Sequence, residues 1–168
     1  MKKYNNYAFI DGNNLHLGTQ SEGWLTNHKL LFKFLSDNYG VTKAFYFLGY
    51  VEQENLLYRL LLRAGFTLIF KRTKRDSNNK IIGNVDAELV FHTIIKIQNY
   101  NKAIIVAGDD DYYCLLKYLA YHKKLSKILI PSKKDCPKLF KNSLLSVYLQ
   151  YLLNKKDEIK HKDCPIKR

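Results

Sequence analysis

Residues 103–111 read Ala-Ile-Ile-Val-Ala-Gly-Asp-Asp-Asp, and residues 7–14 read Tyr-Ala-Phe-Ile-Asp-Gly-Asn-Asn. Each stretch is a short apolar run that stops at glycine and aspartate. A continuous apolar run too short for a helix, bounded by a breaker, is the pattern of a strand buried on both faces. In open α/β sheets ligands bind beyond the carboxyl ends of the strands, so acids placed there face the ligand crevice.

Working outward from these two runs, strand-like segments recur at 43–48, 66–70 and 127–130. Between them lie stretches of helical period. Residues 29–38 put Leu31, Phe34 and Leu35 on one face. Residues 52–64 put Leu56, Leu57, Leu60, Leu61 and Ala64 on one stripe before Gly65. A helix is predicted from 85 to about 99, with Asn84 as its cap, and another over about 110–123. The segment after Asp11 reads as a loop, with Trp24 as a lid or an anchor. Residues 144–149 suit a last strand or the start of a helix. Strand-helix alternation predicts an α/β fold, three layers α/β/α around a mostly parallel central sheet. One domain over 1–154 and a basic, frayed tail over 155–168 are expected.

The chain carries 28 Lys and Arg against 15 Asp and Glu, a formal net charge of +13. A surface of that sign attracts polyanions, of which nucleic acid is the usual one; solubility is the plainer reading. Residues 71–80, Lys-Arg-Thr-Lys-Arg-Asp-Ser-Asn-Asn-Lys, contain no apolar side chain and read as a solvated loop or hairpin tip. Lys71, Arg72, Lys74, Arg75 and Lys80 are its candidates for phosphate contact. Lys133 and Lys134, with Lys138 and Lys141, form a second basic cluster beyond the strand that ends at Ile130.

No apolar run approaches the ~20 residues of a membrane span, and the N-terminus has no signal-peptide pattern. Cys114, Cys136 and Cys164 are odd in number and widely spaced, which suits reduced thiols in a cytoplasmic protein. Five scattered histidines lack ligand spacing, and no phosphate loop with Lys and Ser or Thr is present.

Acids are scarce, which makes their positions informative. Asp11 and the run Asp109-Asp110-Asp111 follow strands, and Asp86 opens a helix whose entry can bring it to the same edge. Each has a structural alternative: Asp11 a turn, Asp86 a favourable charge at a helix start, Asp109 an N-cap. Carboxylates gathered at one spot repel and raise one another's pKa, so such a group calls for a cation. A hard ion with oxygen ligands, such as Mg²⁺, suits them.

At these residues the sequence resembles the NYN domain family, a branch of the PIN-like nucleases. Phe9-Ile10-Asp11-Gly12-Asn13-Asn14-Leu15 is similar to its opening Asp-Gly-x-Asn-Leu. Gly83-Asn84-Val85-Asp86 is similar to its Gly-x-Val-Asp helix start, and Ala107-Gly108-Asp109-Asp110-Asp111-Tyr112 to its Ser-Gly-Asp-x-Asp-Phe. The blocks occur in the family's order, and the resemblance covers about residues 4–150. It implies a PIN-like fold and metal-dependent cleavage of RNA, as an endonuclease. Asp11, Asp86, Asp109 and Asp111 would be both catalytic and metal-binding, for Mg²⁺ or Mn²⁺, and Asn14 would orient the first loop or a metal-bound water. Ala107 stands where the family has Ser, Ile82 where many members have Lys, and His92 where many have a second Asp. These departures support an alternative, a non-catalytic RNA-binding module that keeps the fold. A homodimer is compatible with the sequence. A phosphatase of the haloacid dehalogenase type would need an Asp where Asn13 stands.

Overall fold

The computed structural model describes residues 4–75, 81–82 and 84–161. Strand β1 (Asn6–Asp11) runs into helix α1 (Gly12–Ser21), followed by α2 (His28–Tyr39), β2 (Val41–Gly49), α3 (Asn55–Ala64) and β3 (Thr67–Lys71). A short antiparallel ribbon, β4 (Lys74–Arg75) with β5 (Ile81–Ile82), carries part of the basic run. The chain continues through α4 (Asp86–Ile95), β6 (Ala103–Val106), α5 (Tyr113–Tyr121), β7 (Leu125–Ile130), α6 (Lys138–Lys141), β8 (Leu149–Tyr151) and α7 (Lys156–Ile159).

Six strands form one sheet in the order β3-β2-β1-β6-β7-β8, and every neighbouring pair is parallel. From β1 the chain steps outward through β2 and β3, then returns to place β6 on the other side of β1. The direction of winding therefore reverses between β1 and β6. At such a switch point the connections diverge and leave a crevice at the strands' carboxyl edge.

Alternation along the strands builds two cores. Phe9, Phe45, Phe47, Ile105 and Ile128 face one side, packed with Leu89 of α4 and Leu116 and Leu119 of α5. Ala8, Ile10, Tyr46, Ile104 and Leu129 face the other, packed with Leu15 of α1, Leu31 and Leu35 of α2, and Leu61 of α3. The expected three-layer α/β/α fold with a parallel sheet is thus present. Burial on both faces is why β1 and β6 read as unbroken apolar runs.

Several local expectations change. The segment after Asp11 is a helix, not a loop. Gly12, Asn13, Asn14 and Gly18 are weak helix formers, so α1 depends on its cap and on burying Leu15 and Thr19. A Cβ on Gly12 would lie 2.8 Å from the Phe47 carbonyl oxygen, so glycine is what lets α1 start directly against β2. Trp24 is buried and anchors the connection. Helix α4 stops at Ile95, before the expected end. Residues 110–112 form a 3₁₀ turn ahead of α5, and residues 144–148 form another ahead of β8. The tail expected to fray from Lys155 instead forms α7, with Ile159 fully buried and Lys160 bridged to Thr26. Among the described residues no helix is long and apolar enough to cross a membrane.

Candidate active site

Strand β1 delivers Asp11 to the carboxyl edge at the switch point, and β6 delivers Asp109 beside it two residues past Ala107. Asp11 is 2% exposed. Its carboxylate caps α1 by accepting from the Asn14 backbone N–H (2.9 Å), and it also accepts from Asn14 Nδ2 (3.0 Å). Asn14 Oδ1 in turn accepts from the Gly108 N–H at 2.9 Å, so one side chain ties the end of β1 to the turn after β6. This places Asn14 where the family resemblance implies an orienting role.

Asp86 arrives from a third element. Asn84 Oδ1 accepts from the Asp86 N–H (2.7 Å), fixing the entry to α4. The Asp86 carboxylate then meets a buried phenol: Tyr112 Oη lies 2.6 Å from Asp86 Oδ1 and 2.8 Å from Asp11 Oδ2. That hydroxyl has one proton for two carboxylates. Asp109 caps the next turn, its Oδ1 accepting from the Asp111 N–H at 3.0 Å. The structural roles foreseen for Asp11 and Asp109 as caps are therefore real, and they hold the same carboxylates at the crevice.

Charge accumulates here. Ligand oxygens of Asp109, Asp110 and Asp111 lie within 4.8 Å of one another. The Asp111 carboxyl is held above its usual range, first by Asp109 and then by Asp86, whose carboxylate is within hydrogen-bonding reach. The Asp11 carboxyl is raised mainly by burial, against the hydrogen bonds from Asn14 and Tyr112 that favour its charge. Burial and the two acids push the Tyr112 phenol far above its ordinary value, so it acts as a neutral donor. Among the described residues no Lys or Arg forms an ion pair with any of these five aspartates. An all-oxygen, uncompensated donor set of this kind fits a hard divalent cation.

The family model described as the NYN domain matches residues 7–146. The chain belongs to the NYN domain family. Among similar proteins, the low amplitude and bright protein LabA of Synechococcus elongatus is 25% identical over 114 residues, 62% of this chain and 61% of that protein. The chain thus aligns with less than two thirds of that relative. A crystal structure of VPA0982 from Vibrio parahaemolyticus, titled a protein of unknown function, shares the fold at a TM-score of 0.72. It is 12% identical and superposes over 96% of this chain and 99% of its own.

Against the NYN pattern, Tyr112 stands where phenylalanine follows the last Asp, and the extra hydroxyl is what joins Asp11 to Asp86. Sequence reading missed this role; the only signal was a phenol directly after the acidic run. Asp110, at the variable position of the motif, belongs to the acidic cluster by geometry. His92 packs edge-on against Phe47 on α4, and burial lowers its pKa.

The basic candidates divide. Lys71 ends β3 and is paired with Glu88 of α4, so its charge is partly committed. Arg72 is exposed, and Lys74 and Arg75 form β4. Lys80 lies outside the described residues. Lys133 and Lys134 are exposed on the loop after β7, at the same sheet edge as the acids. Their backbone N–H groups and Ser132 Oγ all donate to Glu22 Oε1, at 2.9, 3.3 and 3.1 Å. Glu22 therefore shapes that loop, a role not foreseen.

Tyr112→Phe removes only the bridging hydroxyl. Leaving two buried acceptors short of a donor is expected to destabilise the metal-free protein by about 1.5–3 kcal/mol. Loss of an orienting partner typically weakens metal binding or activity ~10–100-fold. Urea melts and Mn²⁺ titrations of both proteins measure these effects; unchanged values in both would remove Tyr112 from the site.

Proposed function

We propose that this NYN protein is a divalent-metal-dependent ribonuclease that uses Mg²⁺ or Mn²⁺. The observation that carries this reading is the continuous chain of contacts Asp11–Tyr112–Asp86–Asp111–Asp109, assembled from three separate elements at the switch point without a basic partner among the described residues. Asp109, Asp110 and Asp111 would hold the ion from one side, and Asp86 and Asp11 from the other. A divalent ion bound there supplies Lewis-acid polarisation of a phosphodiester and an activated water. Asn14 and Tyr112 fix the carboxylates so that little reorganisation is needed. The net charge of +13 holds the polyanion while the acids leave its phosphates no other counter-charge at the crevice.

The test is digestion of a single-stranded RNA by the wild type, Asp11→Asn and Asp109→Asn, with Mg²⁺, with Mn²⁺ and with chelator. Cleavage by the wild type alone, abolished by chelator, is expected. Equal rates in all three proteins would refute the assignment. RNA binding without cleavage in either metal would leave a binding module.

Protons and metal compete for the same oxygens. Because Asp111 sits above its ordinary range, Mn²⁺ affinity is expected to rise as pH rises through the acidic region. A Mn²⁺ titration at acidic and neutral pH reads this directly, and a flat affinity would count against Asp111 as a ligand.

A further inference from the structure

Past the acids, the crevice continues as a groove of about 910 Å³ between α1, the connection to α2, and α3. That size is typical of small-molecule sites, ~300–1,000 Å³. Asp11, Asp86 and Asp109 line its acidic end, and its remaining walls include Leu48, Leu57 and Leu60. None of the described residues lining it is Lys or Arg, although the chain carries 28 of them.

Two polar atoms in that lining lack partners. Thr26 Oγ1 and His28 Nδ1 are buried with no hydrogen-bond partner among the described residues. An unsatisfied buried polar group costs roughly 1–3 kcal/mol and calls for an explanation. His28 packs edge-on against Tyr46, with ring centroids 5.7 Å apart. Burial, and then His16 and His161, depress its pKa to about 4, so at neutral pH it is an uncharged imidazole with one donor and one acceptor.

We propose that this groove is a nucleobase subsite, which an unpaired base of the RNA strand enters and where Thr26 and His28 hydrogen-bond to its edge. The proposal rests on the ribonuclease reading for the identity of the strand. An apolar cleft with uncharged hydrogen-bonding atoms and without cations suits a base and not a phosphate. Continuity with the acids puts the backbone of the same nucleotide, or of its neighbour, at the candidate metal site. A base that is paired in a duplex cannot present its edge in this way, so the groove selects single-stranded RNA.

The first arm titrates the full-length protein with each of the four ribonucleosides in the presence of EDTA. Fluorescence of Trp24, the sole tryptophan and a neighbour of Leu25 and Thr26, reports binding. At least one nucleoside is expected to bind saturably, with affinity insensitive to salt because the probe is uncharged. Thr26→Val keeps the side-chain volume and removes the unpartnered hydroxyl, so it is expected to melt no lower than the wild type while binding roughly tenfold more weakly. His28→Ala is the second variant. Absence of saturable binding by all four nucleosides, or affinities unchanged in both variants, overturns the subsite.

The second arm measures RNA affinity with a single abasic ribose moved along the strand. One position is expected to cost roughly tenfold, in the range of a stacked base. If nucleosides bind but no abasic position matters, the groove serves a free nucleoside and the proposal for the strand fails. Nucleoside binding needs neither metal nor cleavage. A protein that cuts RNA but ignores nucleosides, and one that binds nucleosides but never cuts, are therefore told apart.

Discussion

An Asp11→Asn variant is expected to lose metal-dependent RNA cleavage by ~100-fold or more, to stay folded, and to gain stability relative to the wild type as pH rises. The activity loss follows from position. Asp11 stands at the switch point and shares Tyr112 with Asp86. A bound ion contributes several kcal/mol of transition-state stabilisation, and forfeiting about 3 kcal/mol of it corresponds to ~100-fold in rate. Folding survives because the amide oxygen can still cap α1 by accepting from the Asn14 N–H. The pH effect follows from burial, which raises the Asp11 pKa in the folded state above its model value of 3.8. Below 3.8 the acid is protonated in both folded and unfolded chains and carries no penalty. As pH rises towards and through the higher folded pKa, the unfolded chain ionises first and the folded wild type loses stability. Asparagine has no proton to lose, so without divalent metal the stability difference moves towards the variant across that interval. Urea melts over a pH series in chelator measure it. A pH-independent difference would show that the Asp11 carboxylate is compensated in the folded protein, and retained cleavage would remove it from the metal set.

The sheet was legible in the sequence because of how it is buried. Strands β1 and β6 are covered on both faces, which forces unbroken apolar runs, and each run ends where the chain must leave the sheet. Asp11 and Asp109 were therefore readable as edge residues. The strand order was not, since periodicity reports which faces are buried and not which strands are neighbours. Helix α1 escaped because its residues favour a turn: what makes it a helix is the Asp11 cap and the contact of Gly12 with β2, both tertiary. The same reason hid three roles. Tyr112 gains its function from Asp86, 26 positions away; Lys71 is engaged by Glu88; and Glu22 organises a loop more than 100 residues further on. Thr26 and His28 were equally silent, because an unpartnered polar atom exists only once the walls around it are built. The alternatives posed for Asp11 and Asp109, cap or ligand, also proved not to compete. A cap fixes a carboxylate's position, which is what a metal ligand requires.

Phe9→Ala is expected to be the most damaging single change to the fold. Phe9 is fully buried in the middle of β1, with Phe45 as its register partner on one side and Ile105 on the other. Its ring stacks on Phe45 at 5.4 Å and meets the edge of Tyr100 at 5.6 Å. Truncating a buried phenylalanine costs about 3–5 kcal/mol through lost transfer energy and the cavity left behind. A domain typically has about 5–15 kcal/mol in total, so much of the margin would go. Phe70→Ala is the comparison. It lies on the edge strand β3, is 42% exposed, and makes its closest ring contact with Tyr58, so its loss should be clearly smaller. Denaturant midpoints at a fixed pH decide the ranking, and a smaller loss for Phe9→Ala than for Phe70→Ala would contradict the core assignment. The two variants also separate packing from chemistry. Phe9 lies two residues before Asp11 on the strand that carries it, so a β1 loosened by the cavity should bind Mn²⁺ more weakly even under conditions where the variant is fully folded. Phe70, at the edge of the sheet and two strands from β1, should leave Mn²⁺ affinity at its wild-type value.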